Sequence, residues 1–178
     1  MYFYNRQRLA FDYETDWGLK MSAQIKAESN SPTGNLSFIN NVDGSNVSQI
    51  RTTEVKAGLK YCPGQTYINT KQQRLPVDAP EFGISHTAGF KHMLGGQYKL
   101  NLTEASIYKR FWMGSWGYID NRLNVGAQWS KVPFPLLIMP PVNVSYFEHE
   151  NTFSMMRNME FLNDRYAYWS ISWDLNGK

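Results

Sequence analysis

From Leu19 to Glu28 the chain alternates apolar and polar residues without a break: Leu19, Met21, Ala23, Ile25 and Ala27 against Lys20, Ser22, Gln24, Lys26 and Glu28. Successive side chains of a strand point to opposite faces, so the pattern dictates one strand with an apolar face and a wet face. The run is ten residues long. Strands of soluble domains mostly stop at about five or six residues, whereas a tilted strand crossing a bilayer needs about nine to eleven. The same long alternation recurs down the chain, which predicts an all-β fold, an antiparallel transmembrane β-barrel.

Bulk composition admits that reading and removes others. Mean hydropathy is −0.49, which argues against a bundle of membrane helices but not against a barrel, because half of each barrel strand is polar. The longest apolar stretch, near Val132 to Val144, carries four prolines and cannot be helical. Net charge is +3, with no Lys/Arg cluster beyond pairs such as Lys109-Arg110, so nucleic acid is not expected as a partner. A lone Cys62 excludes an internal disulfide and a Cys-based zinc site. Met1 to Arg6 lacks the apolar segment of a signal peptide. A barrel must be exported, so residues 1–178 are expected to be a barrel segment of a longer precursor, truncated at both ends.

Eight strands are predicted: Phe3 to Glu14, Leu19 to Glu28, Ile50 to Tyr61, Glu81 to Phe90, Gln97 to about Arg110, Trp116 to Trp129, about Thr152 to Leu162, and Arg165 to Leu175. The alternation of the fifth slips near Glu104, which suggests a β-bulge. On the sixth, Ile119, Leu123, Val125, Ala127 and Trp129 form the apolar set, with Asn121 interrupting it. Connections of a barrel alternate between the two membrane faces, and one set is short. Cys62 to Pro80 is long on the short side, so either a boundary is misplaced or that segment forms an extra hairpin. Asn176-Gly177 is a hairpin-turn signal, so a further strand is expected after it.

Two observations favour a membrane over water. The strands are long, and aromatic residues mark their ends: Trp17, Tyr61, Trp112, Trp116, Trp129 and Trp173. Interfacial Trp and Tyr girdle barrels at both rims. The polar faces carry Lys20, Lys26, Glu28, Glu54, Lys56 and Lys60, too much charge for a packed interior and suited to a watery lumen. A soluble β-sandwich with a polar outer face remains the competing architecture.

Several stretches resemble one family of Gram-negative outer-membrane proteins of unknown function. They are Leu59-Lys60-Tyr61-Cys62-Pro63-Gly64-Gln65, His86-Thr87-Ala88-Gly89-Phe90-Lys91, Leu94-Gly95-Gly96-Gln97-Tyr98, Lys131-Val132-Pro133-Phe134-Pro135-Leu136-Leu137-Ile138, and Met159-Glu160-Phe161-Leu162-Asn163-Asp164-Arg165-Tyr166-Ala167. The resemblance spans roughly Tyr61 to Lys178, with the earlier strands looser, and Cys62 stands where a small residue such as Ala is usual. Full-length members join an N-terminal carboxypeptidase-regulatory-like β-sandwich through a linking region to a C-terminal barrel. The resemblance therefore implies a location in the cell outer membrane and a barrel, and no established activity.

The segment Lys131 to Pro141 is the best candidate for function. Pro133, Pro135, Pro140 and Pro141 stiffen it, while Phe134, Leu136, Leu137, Ile138 and Met139 are too apolar to lie in water alone. It is read as a plug folded into the lumen or a docking surface for a partner, with simple packing on the rim as the alternative. Glu104, Lys109 and Arg110, facing Asp120 and Arg122, are expected to form a charged ladder. Ser85 and His86 are adjacent on a strand and face opposite ways, so they make no catalytic dyad. His92, His149 and the trio Glu148-His149-Glu150 show no metal-ligand spacing. No catalytic residue, cofactor or metal is assigned. The chain is thus expected to be a non-enzymatic outer-membrane barrel for scaffolding, transport or envelope assembly, meeting membrane lipids and other outer-membrane proteins or lipoproteins as part of a larger complex. A barrel enzyme acting on lipid or peptide and a secreted β-sandwich binding module are the alternatives.

Overall fold

The computed structural model describes residues 2–34, 37–39, 44–64, 66–68, 73–75, 79–141 and 160–175. The strands are β1 (Tyr2–Glu14), β2 (Leu19–Pro32), β3 (Phe38–Ile39), β4 (Asn46–Val47), β5 (Ile50–Tyr61), β6 (Thr66–Ile68), β7 (Gln73–Leu75), β8 (Glu81–Gly89), β9 (Asn101–Trp112), β10 (Tyr118–Gln128) and β11 (Arg165–Asp174). Seven of them make one sheet in the order β1-β2-β5-β8-β9-β10-β11, and every neighbour is antiparallel. The other four make two short ribbons, β3-β4 and β6-β7. All-β antiparallel architecture is therefore as the sequence predicts. Among the described residues β1 and β11 remain the two edges, and no closed barrel is formed.

Six of the predicted strands are present with the same or slightly shifted ends, and the fifth starts later than expected. Gly95 adopts a φ of 84°, and the Gln97 amide donates to the Arg51 carbonyl across the end of β5, so the chain joins the ladder only near Leu100. Glu104 sits in unbroken register with Ser85 on one side and Gly126 on the other, so there is no bulge. The apparent slip arises because Leu102 joins the polar face and Lys109 the apolar one, while the pleat continues. Seven strands form the sheet rather than eight because β10 pairs directly with β11, from Tyr118↔Asp174 to Ala127↔Arg165. No strand lies between them. Of the predicted seventh strand, residues 152–159 lie outside the described residues, and Glu160 to Leu162 is not strand. The long connection after Cys62 contains the ribbon β6-β7, an extra hairpin.

The register collects every apolar alternation on one face. A single row crosses all seven strands as Tyr13, Met21, Leu59, Ile84, Ala105, Val125 and Ala167. No second layer covers this face among the described residues: Leu9 is 74% exposed, Ile84 54% and Trp169 68%. Among the described residues the buried apolar ones are Ile50, Cys62, Ala79 and Leu100, which all flank the ends of the long strands. Cys62 is shut in by the β1-β2 turn, where its amide donates to the Gly18 carbonyl at 2.9 Å. Gly18 has a φ of 91°, and a Cβ there would strike the Cys62 backbone, so that turn requires glycine.

Candidate functional site

The opposite face is polar, and two of its cross-strand rows carry small residues at their centres. One runs Asp12, Ser22, Gly58, Ser85, Glu104, Gly126 and Tyr166; the next runs Glu14, Lys20, Lys60, Gly83, Ser106, Asn124 and Tyr168. Glycine and serine leave space where a larger side chain would stand, which opens a trough of about 370 Å³ across the sheet. Glu104 is its hub. Its carboxylate meets the Lys56 ammonium at 2.9 Å and accepts hydrogen bonds from the Tyr166 hydroxyl at 3.1 Å and the Ser85 hydroxyl at 3.4 Å. The Tyr166 ring lies over Gly126, where any Cβ would collide with it. Tyr168 stacks beside it, with ring centroids 6.0 Å apart and planes 19° apart.

The Pro-rich segment lies across this face. A 3-10 turn, Phe134–Leu136, opens it, and Ile138 and Asn163 exchange two backbone hydrogen bonds of 3.0 Å. This strap encloses two spaces. In the first, of about 600 Å³, Pro133, Phe134 and Pro135 face the β3-β4 ribbon at Phe38, Ile39 and Val47. In the second, of about 630 Å³, Ile138, Met139, Pro140 and Pro141 oppose Glu104, Asn124, Tyr166 and Tyr168. Leu136 and Leu137 are half-buried between them. The two cavities on the polar face share Glu104, Asn124 and Tyr166, so the trough continues beneath the strap.

Farther along, the Arg110 guanidinium donates to both Asp120 oxygens at 2.7 and 2.8 Å, and the Tyr108 hydroxyl donates to the same carboxylate at 2.9 Å. Arg110 also stacks on Tyr118 at 3.8 Å, and Arg122 lies 5.0 Å from the Tyr108 ring centre. Glu104, Arg110, Asp120 and Arg122 thus share the polar face. Lys109 does not: it pairs with Asn121 on the apolar face, as its position beside Arg110 requires.

Of the marked aromatics, Trp17 packs on Tyr61 with centroids 5.9 Å apart, and the Trp173 indole donates to the Trp116 carbonyl at 2.9 Å. These four lie at one end of the strands and Trp129 at the other. Trp112 lies at the first end but on the polar face, opposite Tyr118. His86 stands on the apolar face, its Nδ1 3.0 Å from the Thr103 hydroxyl, which also accepts from the Trp129 indole at 3.0 Å. Ser85 points the other way, into the trough. His92 lies in the β8-β9 loop, and residues 148–150 fall outside the described residues. Among the described residues no cluster could hold a metal ion.

Sequence reasoning missed Gly126, Asn124, Asn163 and the Tyr166-Tyr168 pair as site residues. The tyrosines were visible on the polar side of the last strand, but their neighbours follow only from register. Comparison with known families matches residues 1–137 to the C-terminal domain of a family of unknown function (DUF5686). The chain belongs to this family. The match takes in the early strands and extends through the strap to Leu137, so its span differs from the resemblance read from Tyr61 onward. No curated protein and no solved structure matches.

Proposed function

We propose that this DUF5686 domain is a seven-strand section of a transmembrane β-barrel of the cell outer membrane, with its apolar face towards lipid and its polar face towards an aqueous lumen. The strap crosses that lumen as a constriction. Its role is passage of a solute or polymer through the envelope, in company with other outer-membrane proteins or lipoproteins.

One observation carries this reading: the apolar belt runs diagonally across the sheet. Its lower limit is Tyr13 on β1 but Trp173 on β11. Tyr13 shares its cross-strand row with Ala167, so the belt has descended three outward positions by the last strand. At about 3.3 Å per residue this is a drop of about 20 Å over about 29 Å of sheet width, an angle of about 35°. Barrel strands tilt about 35–45° from the membrane normal, so a level lipid band must cross the rows at that angle. A soluble sheet has no reason to stagger its apolar residues in this way.

The test is refolding in zwitterionic detergent micelles and in plain buffer, read by circular dichroism and by gel mobility before and after boiling. Strand signal with heat-sensitive mobility in detergent alone is expected. A cooperative β-fold in buffer alone overturns the membrane reading. In planar bilayers the intact protein is expected to conduct, and removal of Pro133 to Pro141 to increase the conductance. Unchanged conductance on that removal overturns the constriction.

A further inference from the structure

We infer that the cavity beneath the strap is a binding site for a neutral carbohydrate; the inference rests on the lumen reading above and adds the substrate class. Its volume, about 630 Å³, lies in the range of small-molecule sites, which are mostly apolar with a few convergent polar groups. Its lining combines aromatic rings, the stacked pair Tyr166 and Tyr168 with Phe161, and the aliphatic side chains of Ile138, Met139 and Pro140. Such a slot, aromatic and aliphatic, suits a ligand with apolar faces, which is what the C–H faces of a sugar ring present.

The edge of the slot is polar. Asn124 lines both the trough and the strap cavity, and its side-chain amide nitrogen is buried with no hydrogen-bond partner among the described residues. A buried donor left unmade is costly, so this amide calls for an acceptor from the ligand. Asn163 and Glu104 complete the edge. Glu104 is the sole ionisable carboxylate among the described lining residues, and Lys56 already balances it. An anionic ligand would meet that carboxylate, and a cationic one would have to displace Lys56. A fatty acyl chain would leave Asn124 and Glu104 facing hydrocarbon. A neutral ring with hydroxyl edges satisfies all three groups. The trough of serines and glycines leading from the slot provides room and hydroxyl partners for a longer saccharide.

The experiment is titration of the intact protein with a panel of neutral oligosaccharides (malto-, cello- and chito-series), followed by calorimetry. A zwitterionic detergent is used because sugar-based detergents would compete. Binding of at least one series is expected, weakened about tenfold or more by Asn124→Leu and by Tyr168→Ala. Tyr168→Leu, which keeps bulk and removes the aromatic face, serves if the alanine variant does not fold. No binding by any series overturns the inference, as does binding insensitive to both positions. Tighter, Asn124-sensitive binding of lauric acid overturns it in favour of a lipid. The titration is run on whichever form is folded, in detergent or in buffer. Heat-sensitive mobility reports the barrel separately, so failure of the sugar site and failure of the membrane reading are distinct results.

Discussion

Replacing Leu123 with arginine separates a lipid-facing surface from a wet one. Leu123 sits at the middle of the apolar face of β10, between Ile119 and Ala127, flanked across the strands by Ile107 and Trp169. It is 40% exposed. Were that exposure to water, Leu123→Arg would change stability by no more than about 0.5 kcal/mol. Exposure to lipid gives a different magnitude. Two outward positions along a strand tilted near 35–40° amount to about 10 Å along the membrane normal, so Ile119 and Ala127 lie near the edges of a band about 25 Å tall and Leu123 near its midplane. Arginine at the midplane costs about 2–4 kcal/mol and near the interfaces about 0–1 kcal/mol. The folded-to-unfolded ratio of Leu123→Arg in phospholipid vesicles should therefore fall about 30- to 700-fold. Urea titration followed by tryptophan emission measures it. Ile119→Arg and Ala127→Arg should cost about 1 kcal/mol or less. Ser172→Arg, on the polar face opposite Asp120, should stay within about 0.5 kcal/mol. A flat profile, with Leu123→Arg no worse than Ser172→Arg, refutes the assignment of this face to lipid.

Tryptophan quenching gives an independent view. Among single-tryptophan variants, the one retaining Trp169 should be quenched by brominated acyl chains and the one retaining Trp112, on the polar face, by aqueous acrylamide; equal quenching of both by either agent contradicts the assignment of faces. Asp120→Ala strands Arg110 and Tyr108, whose side chains share that carboxylate, and should lower stability by about 1–3 kcal/mol in a urea titration. Part of that loss should return in Asp120→Ala/Arg110→Leu, and strict additivity counts against the pairing. Gly126→Val drives a side chain into the Tyr166 ring and should cost about 1–3 kcal/mol. In a Tyr166→Ala background the same substitution should be tolerated, and an equal penalty there means that the ring is not what it meets.

The strand pattern was legible because a period of two leaves a direct mark in sequence. Leu19 to Glu28 and Ile50 to Tyr61 announce their faces residue by residue, and the sheet pairs them as that pattern requires. Legibility failed where tertiary partners decide. Lys109 and Arg110 read as one charged cluster, but adjacent strand residues cannot share a face, and only pairing with Asn121 and Asp120 fixes which is which. The slip at Glu104 suggested a bulge because Leu102 is apolar on a polar face, while the ladder runs on unbroken. Of the strand expected before Arg165, only Glu160 to Leu162 fall among the described residues, and these are not strand. The Pro-rich segment was conspicuous, and its composition demanded cover. Which surface covers it depended on the Ile138–Asn163 bridge and on the space left by Gly58, Gly83 and Gly126, which acquire meaning only in register.

The two edges of the sheet constrain the barrel reading further. Along seven strands with antiparallel neighbours, direction alternates, so β1 and β11 run the same way. They cannot close on each other as an antiparallel pair, and an antiparallel barrel containing this sheet must add an odd number of strands. One extra strand would make an eight-stranded barrel, whose interior is just wide enough for its own side chains to fill. The polar face argues for more than that minimum. It places glycine or serine at the centre of two cross-strand rows and leaves about 370 Å³ open in the trough and about 630 Å³ beneath the strap. It also pairs Arg110, Asp120, Tyr108 and Tyr118 with one another and with Asp174 of the same sheet, with no described residue from an opposing wall among their partners. On the barrel reading proposed above, a face that satisfies its charges within its own sheet and leaves vacant volume above its small residues favours a lumen wide enough to hold water and a strap, and so three or more additional strands over one.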